Sequence, residues 1–332
     1  MNGEMLKKIR IKGYRSIRDV SVELGNINIL IGPNGSGKSN FLSAFAFVRR
    51  VVSLELQRTV SKRGVKSLLY NGSDETNDIT IEVSFENNCY GFSLKLTENE
   101  RLMFSDEYFC QEQSGTKYSL GSGHFESKWK DCIKDNVESF LSAKSWCVYH
   151  FNDTSGTSLM KHSCSIHDNA ILSDDARNIA PFLLRLKEEY PSDYRKIVST
   201  IHLVAPFFED FVLITNNDAE EVMLRWKKID CDGIMGPNQL SDGTLRFICL
   251  TTLLLQPKEF RPMTIILDEP ELGLYPQAMV YLAEMIKSVG MTGQIIVSTQ
   301  SADLLDEFSP DDIITVRDDG NGTEFFSLEW RN

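Results

Sequence analysis

The feature that most constrains the fold is a glycine-rich segment that joins two segments of different periodicity. It reads Gly-Pro-Asn-Gly-Ser-Gly-Lys-Ser, residues 32–39, and it follows a short apolar run at residues 26–31 that predicts a buried strand. After it, apolar residues recur at three- and four-residue spacing, which predicts an amphipathic helix with an apolar face of Phe41, Leu42, Phe45, Val48 and Val51. A strand, a glycine-rich turn and a helix in this order predict an α/β fold whose turn can hold a phosphate group.

The turn fits the pattern G-x-x-x-x-G-K-[ST], in which each residue type has a chemical reason. Glycines let successive backbone N–H groups turn inward around a β-phosphate, and the helix N-terminus adds partial positive charge. Lys38 would bridge the β- and γ-phosphates, and the hydroxyl group of Ser39 would bind Mg²⁺. We therefore predict ATP and Mg²⁺ as ligands, with nucleotide contacts from Gly32, Pro33, Asn34, Gly35, Ser36, Gly37, Lys38, Ser39 and Asn40.

A second motif supplies carboxylates. Residues 264–270, Thr-Ile-Ile-Leu-Asp-Glu-Pro, form an apolar run that ends in two acids, as a central parallel strand would. Asp268 could hold Mg²⁺ through water, because that ion prefers oxygen ligands. Glu269 could orient or deprotonate the water that attacks the γ-phosphate. Acidic strand ends are common on their own, but together with the phosphate-binding turn they predict an ATPase.

A third motif, Gln-Leu-Ser-Asp-Gly-Thr at residues 239–244, opens another apolar helix. Ser241 and Gly243 at a helix start could bind an anion through backbone N–H groups and the helix dipole. The chain has one nucleotide-binding lysine but two such helix starts, so the second would close over the γ-phosphate held by another copy. A serine that only caps its own helix is the common alternative. We predict a homodimer that sandwiches ATP.

The rest of the pattern predicts one discontinuous domain over residues 1–332. Alternation at residues 79–85 and 90–96 predicts an antiparallel hairpin, whereas the polar stretch 101–127 has no interpretable pattern. We predict an α/β P-loop NTPase fold with an inserted antiparallel β lobe and a helical lobe. The predicted parts are a nucleotide-binding core at 1–70 and 236–332, a β lobe at 71–150 and a helical or mixed insert at 151–235.

Composition and charge limit the setting. The net charge is −12, so any contact with DNA must be local, and a basic cluster at residues 49–66 is a candidate, although such runs are more often a solvated helix face. No apolar run reaches the roughly 18 residues of a membrane span. The seven cysteines are scattered, and Cys89, Cys147 and Cys249 lie within apolar patterns. We predict a cytoplasmic protein without disulfides or membrane contact, with these three cysteines as buried thiols.

Four segments resemble ABC-class ATPases of the RecF, SMC and OLD lineage, and most of all stand-alone RecF-like AAA ATPases of bacterial defence or repair loci. The segments are residues 11–17, 32–40, 240–244 and 268–276, and residues 146–154 are similar in a less specific way. The resemblance implies an ABC-ATPase type of fold, with Ser241 and Gly243 in a signature loop and Glu269 as the catalytic base. It also implies that Arg15 lies near the nucleotide.

Some positions depart from that lineage. Gln300 replaces the switch histidine that follows the strand at residues 294–298, and glutamine can hydrogen-bond a γ-phosphate but cannot carry charge. We therefore predict that Gln300 takes part in catalysis and that hydrolysis is slow. Tyr275 stands where histidine is usual, and we identify no Q-loop glutamine. Glu271 could shape the dimer contact or cap the turn that follows it.

The resemblance implies a protein that dimerises on ATP and controls a separate nuclease or effector acting on nucleic acid, in anti-phage defence or DNA repair. An ATP-bound scaffold that hydrolyses slowly or not at all is the alternative, because Gln300 occupies the switch position. A transporter ATPase subunit is less favoured, because the segments at residues 13–16 and 269–271 argue against it.

Overall fold

The computed structural model describes residues 4–72, 76–111, 115–132, 143–216 and 218–327, which form mixed α/β structure. The strands are β1 Lys8–Tyr14, β2 Ile17–Glu23, β3 Ile27–Ile31, β4 Asp78–Ser84, β5 Asn88–Leu96, β6 Leu102–Gln111, β7 Thr116–Gly121, β8 Val148–Tyr149, β9 Cys164–Ser165, β10 Phe208–Phe211, β11 Thr215–Asn216, β12 Glu221–Val222, β13 Trp226–Lys228, β14 Ile234–Met235, β15 Thr264–Asp268, β16 Gln294–Thr299, β17 Ile313–Asp318 and β18 Thr323–Ser327. The α-helices of these ranges are α1 Lys38–Val52, α2 Leu56–Arg63, α3 Ile179–Glu189, α4 Pro191–Val204, α5 Asp242–Leu255, α6 Pro276–Gly290 and α7 Ala302–Leu305.

The central sheet has the strand order β18-β17-β3-β16-β15-β8, and all its pairs are parallel except β17 with β18. Alternate residues of β15 enter two different cores, because successive side chains of a strand point to opposite faces. Ile265 and Leu267 pack in the core that includes α5 and α6, whereas Ile266 packs in the core that includes α1. Burial on both faces explains why these strands are almost entirely apolar.

The register of this sheet brings the predicted motifs to one edge. Ser298 of β16 lies opposite Leu30 of β3 on one side and opposite Asp268 of β15 on the other. The glycine-rich turn after β3, the acids at the end of β15 and Gln300 after β16 therefore leave the sheet side by side. Ligand sites in α/β sheets commonly lie at the carboxyl ends of parallel strands.

The second six-stranded sheet is antiparallel, in the order β2-β1-β4-β5-β6-β7, and it corrects the predicted division of the chain. Residues 8–23 were assigned to the nucleotide-binding core, but β1 pairs with β4, so both N-terminal strands belong to the antiparallel sheet. In the opposite sense, β8 lies inside the predicted β lobe but joins the central sheet. Both differences depend on pairing between segments far apart in sequence, which local periodicity does not contain.

The same sheet contains a disulfide bond between Cys89 of β5 and Cys110 of β6, so the prediction of a protein without disulfides is wrong. The two cysteines lie directly opposite each other, with their Cα atoms 5.0 Å apart. Cys110 lies within the stretch 101–127 that had no interpretable pattern, so its partner could not be identified. Cys249 is a buried free thiol, as predicted, and Cys147 is a free thiol that is only partly buried.

The helices begin and end close to the predicted residues. α3 ends at Glu189 before Pro191, which opens α4, and α6 runs from Pro276 to Gly290. These local signals are reliable because proline and glycine act on the backbone of their own turn. None of the described helices is both long and apolar enough to cross a lipid bilayer.

Candidate active site

The phosphate-binding turn connects the end of β3 to the start of α1. Gly37 has a φ of 100°, in the left-handed region that favours glycine, and a Cβ atom there would lie 2.1 Å from Oγ1 of Thr323. Gly35 also has a positive φ, of 81°. The glycines therefore shape the backbone as the motif requires, and Gly37 also lets β18 approach the turn.

The side chain of Lys38 folds back into this turn. Its Nζ atom donates hydrogen bonds to the carbonyl oxygens of Gly32 at 2.6 Å and Pro33 at 3.0 Å, and the residue is only 5% exposed. Burial lowers the pKa of this ammonium group, although nearby carboxylates oppose the effect. The hydroxyl group of Ser36 is buried without a hydrogen-bond partner among the described residues. A buried cation and a buried hydroxyl group inside a glycine-rich turn fit a polyphosphate, which would supply acceptor oxygens.

Two oxygen donors suited to Mg²⁺ face each other beside the turn. Oδ1 of Asp268, at the end of β15, lies 3.5 Å from Oγ of Ser39. The Asp268 side chain is 12% exposed, and a carboxylate and a hydroxyl group are ligand types that Mg²⁺ accepts, so this pair fits the ion. Oδ2 of Asp268 lies 3.6 Å from Nδ1 of His150, which follows β8. We did not predict His150, and the only sequence signal for it was the weak resemblance at residues 146–154.

Glu269 and Gln300, the two predicted catalytic residues, are in direct contact. The amide Nε2 of Gln300 donates a hydrogen bond to Oε1 of Glu269. Glu269 has a φ of 49°, which is uncommon for a residue other than glycine, and its backbone N–H donates to the carbonyl oxygen of Ser298 at 2.9 Å. Sparsely populated backbone conformations of this kind cluster at functional sites.

Ser241 and Gly243 lie at the start of α5, away from these groups. The Ser241 side chain accepts a hydrogen bond from the backbone N–H of Thr244 at 3.2 Å, so it caps its own helix. A Cβ atom on Gly243 would lie 2.3 Å from the carbonyl oxygen of Gly273, so the helix start packs against the loop that follows the acids. No hydrogen bond within the described ranges joins Ser241 to Lys38 or Ser39 of the same chain.

Arg15 lies near the phosphate-binding turn. Its Nη1 atom donates to Oδ1 of Asn40 at 3.3 Å, and it lines the same cavity as Ser39 and Asp268. Its predicted contact with the nucleotide stays a prediction.

Arg246 connects three elements around the site and was not identified in the sequence. Its guanidinium group donates to the carbonyl oxygens of Phe151 at 3.2 Å, Asn152 at 2.9 Å and Leu272 at 2.7 Å. The helix that begins after Ser241 is thereby joined to the segment after β8 and to the loop after Glu269. A rigid fork of N–H donors suits arginine to such multiple contacts.

The family described as "RecF/RecN/SMC N terminal domain" matches residues 5–324 of the chain. The chain belongs to this family. Membership confirms the lineage expected from the motifs, and the family implies an ATP-binding ATPase. The sheet topology described above is thus the ABC-type ATPase fold.

Among relatives in this family, a segment of 75 residues is 39% identical to "Structural maintenance of chromosomes protein 1" of Saccharomyces cerevisiae, covering 22% of this chain and 6% of the yeast protein. A segment of 92 residues is 28% identical to "DNA replication and repair protein RecF" of Francisella tularensis subsp. mediasiatica and covers 26% of each chain. The aligned region therefore spans only a small part of either relative.

Solved structures of the family support the fold over nearly the whole chain. An SMC head bound to the C-winged helix domain of ScpA superposes with a TM-score of 0.68 over 98% of both chains, at 16% sequence identity. At this identity the likeness establishes the architecture and leaves the chemistry to the residues themselves.

A basic cavity of about 730 Å³ extends from the active site of this RecF/RecN/SMC-family chain. Ser39, His150 and Asp268 lie at one end, and six cationic residues line it: Arg15, Arg49, Arg50, Arg58, Lys62 and Arg63. Glu55 pairs with both Arg50 and Arg58, whereas Lys62 and Arg63 form no ion pair within the described part of the chain. Most of the basic cluster at residues 49–66 therefore lines one concave surface instead of being scattered over a helix face.

Proposed function

We propose that this protein binds and slowly hydrolyses ATP, that two copies pair around the nucleotide, and that the paired and separated states control a nucleic-acid-acting partner. The observation that supports it most is the meeting of Lys38, Asp268 and Glu269 at one edge of the central sheet. The family implies the ATPase activity in general terms. The roles of single residues, the pairing and the partner are our proposal.

The proposed roles follow from the chemistry of each group. The turn and Lys38 hold the β- and γ-phosphates, with Arg15 at its side. Ser39 and Asp268 hold Mg²⁺, which, when bound, neutralises charge on the transferred phosphoryl group. Glu269 accepts a proton from the attacking water, and Gln300 donates a hydrogen bond that fixes the Glu269 carboxylate.

The proposed pairing rests on the separation of the two anion-binding helix starts. Ser241 and Gly243 make their described contacts with their own helix and with the loop at residues 269–275, not with the phosphate-binding turn. Twofold pairing would bring each Ser241 against the nucleotide of the other copy and create two identical composite sites. Hydrolysis would then separate the copies and give a partner two states to distinguish.

We propose that the nucleic acid lies in the basic cavity and that a separate nuclease or effector acts on it, in the cytoplasm, during anti-phage defence or DNA repair. Concave surfaces lined by one sign of charge concentrate counter-ions, and phosphates are the natural counter-ions of arginine clusters. A protein with a net charge of −12 can bind a polyanion only through such a local concentration of cations.

A clamp that holds ATP with little or no hydrolysis is the second candidate, because Gln300 cannot carry the charge that histidine can. Phosphate release under steady-state conditions separates the two candidates. We expect ATP-dependent release that falls to background in Lys38→Ala, because the buried ammonium group is lost. Tight ATP binding without phosphate release above the Lys38→Ala level would favour the clamp and contradict hydrolysis.

A further inference from the structure

Glu271 holds the segment that carries Gln300. One oxygen of its side chain, Oε1, accepts hydrogen bonds from the hydroxyl group of Thr299 at 2.6 Å and from the backbone N–H of Gln300 at 3.0 Å. Thr299, the last residue of β16, is fully buried, and its Oγ1 atom also accepts from the backbone N–H of Ser301 at 3.0 Å. One carboxylate therefore fixes the end of β16 at the point where the chain leaves the sheet.

The Glu-Pro-Glu sequence places two carboxylates on opposite sides of one residue. Glu269, in its left-handed conformation, accepts from the side-chain amide of Gln300, and Glu271 accepts from the backbone of Gln300. Gln300 is thus held at both ends. The side chain of Glu271 does not cap its own turn, where backbone bonds close residues 269–274 instead.

The second oxygen of Glu271 strengthens this reading. Oε2 is buried and has no hydrogen-bond partner among the described residues. A partly satisfied buried carboxylate is costly, and such groups call for an explanation beyond stability. All the hydrogen bonds described for this carboxylate go to Thr299 and Gln300.

We propose that Glu271 is a positioning residue that sets the place of Gln300, so that the Gln300 amide holds the Glu269 carboxylate ready for proton transfer. The proposal rests on the proposed function, since it assigns Glu269 to the hydrolysis of ATP. It explains how glutamine serves at a position where the lineage uses histidine: an uncharged amide contributes orientation, which requires a fixed backbone.

Turnover and amide exchange together test this proposal. In Glu271→Ala, we expect kcat for ATP to fall about tenfold to hundredfold, as for the loss of a charge-assisted hydrogen bond, with the Kd for ATP changed less than about twofold. Hydrogen–deuterium exchange of the nucleotide-free protein should become faster in peptides that span Gln300, because its N–H loses its acceptor. Unchanged exchange would overturn the contact, and faster exchange with unchanged kcat would overturn its role in hydrolysis.

A double-mutant cycle with Gln300→Ala separates positioning from general damage. If Glu271 acts through Gln300, then Glu271→Ala should lower kcat less than about twofold in the Gln300→Ala background. Full effects that multiply would overturn the proposal.

Thr299 supplies a second test in case Glu271→Ala fails to fold. Thr299→Val keeps the shape but removes the hydroxyl donor, so kcat should fall severalfold, whereas Thr299→Ser keeps the donor and should stay near wild type. Equal rates in Val and Ser variants would overturn the proposal. If the wild-type protein itself releases no phosphate, the proposed hydrolysis fails, and the exchange measurement still decides whether Glu271 holds Gln300.

Discussion

At the scale of single residues, the contact between Gln300 and Glu269 distinguishes this site. The lineage's usual histidine can donate a hydrogen bond and also share a proton near neutral pH, whereas glutamine can only donate or accept hydrogen bonds. The Gln300 side chain donates to the carboxylate that would take the proton from water. Gln300 therefore acts on the orientation of Glu269 in our account, and the rate depends on that one N–H donor.

Gln300→Glu tests this role with almost no change in size. The variant removes the donor and places a second carboxylate against Glu269, so we expect kcat for ATP hydrolysis to fall about a hundredfold. Binding of ATP should change little, because Lys38 and the turn remain. Asp303→Asn, an exposed acid nearby on α7, is the control and should leave kcat unchanged. A Gln300→Glu variant with wild-type kcat would remove Gln300 from the mechanism.

At the scale of elements, local signals predicted what lies within one strand or helix. The apolar spacing of α1, the proline at the start of α6 and the apolar runs of β15 and β16 are all confirmed. Pairings between distant segments could not be predicted, because β1 with β4, Cys89 with Cys110 and His150 with Asp268 depend on tertiary register. The stretch 101–127 escaped interpretation because β6 is only partly buried and has an irregular alternation.

A buried network on β6 determines how firmly the antiparallel sheet is held. Glu107 is fully buried and accepts hydrogen bonds from Tyr90 at 2.6 Å, His124 at 2.8 Å and the backbone of Lys128 at 2.9 Å, as well as from the Ser127 hydroxyl group. Burial, together with Glu107, raises the pKa of Tyr90 well above its usual value, so its hydroxyl group stays protonated and donates.

Glu107→Gln should lower the free energy of unfolding by about 3 kcal/mol, because the new amide N–H₂ group would face donors instead of accepting from them. Asp106→Asn, one residue earlier, is the matched control. Asp106 forms a surface ion pair with Lys117 at 3.2 Å, and its loss should cost less than about 1 kcal/mol. Denaturation in urea, followed by circular dichroism, measures both. Equal costs for the two variants would contradict the role given to Glu107.

At the scale of the whole molecule, charge is distributed unevenly. The chain carries a net charge of −12, yet six cations line the cavity that begins beside Asp268. Nucleic acid bound there would lie next to the site of ATP hydrolysis, so the two ligands could influence each other through shared residues such as Arg15. Coupling of that kind is reciprocal in binding free energy.

Lys62→Glu combined with Arg63→Glu should weaken the binding of duplex DNA at least about tenfold and flatten its dependence on salt, because fewer phosphates are neutralised. The double variant Lys95→Glu and Lys258→Glu makes the same change in net charge at exposed positions outside the cavity and should bind as wild type does. Fluorescence anisotropy at two or more salt concentrations measures both. Equal losses in the two double variants would mean that overall charge, and not the cavity, governs binding.

The pairing of two copies by ATP is the central claim, and size-exclusion chromatography with light scattering tests it most directly. Glu269→Gln keeps the phosphate and Mg²⁺ ligands but removes the proton acceptor, so bound ATP should persist and favour the paired state. We predict a dimer of the 37.7 kDa chain with ATP and Mg²⁺, and a monomer without nucleotide.

Adding Ser241→Arg to Glu269→Gln should leave a monomer under all these conditions, because the bulky side chain would block the facing γ-phosphate. A Glu269→Gln protein that stays monomeric with saturating ATP, or a double variant that still dimerises when ATP is added, would contradict the account.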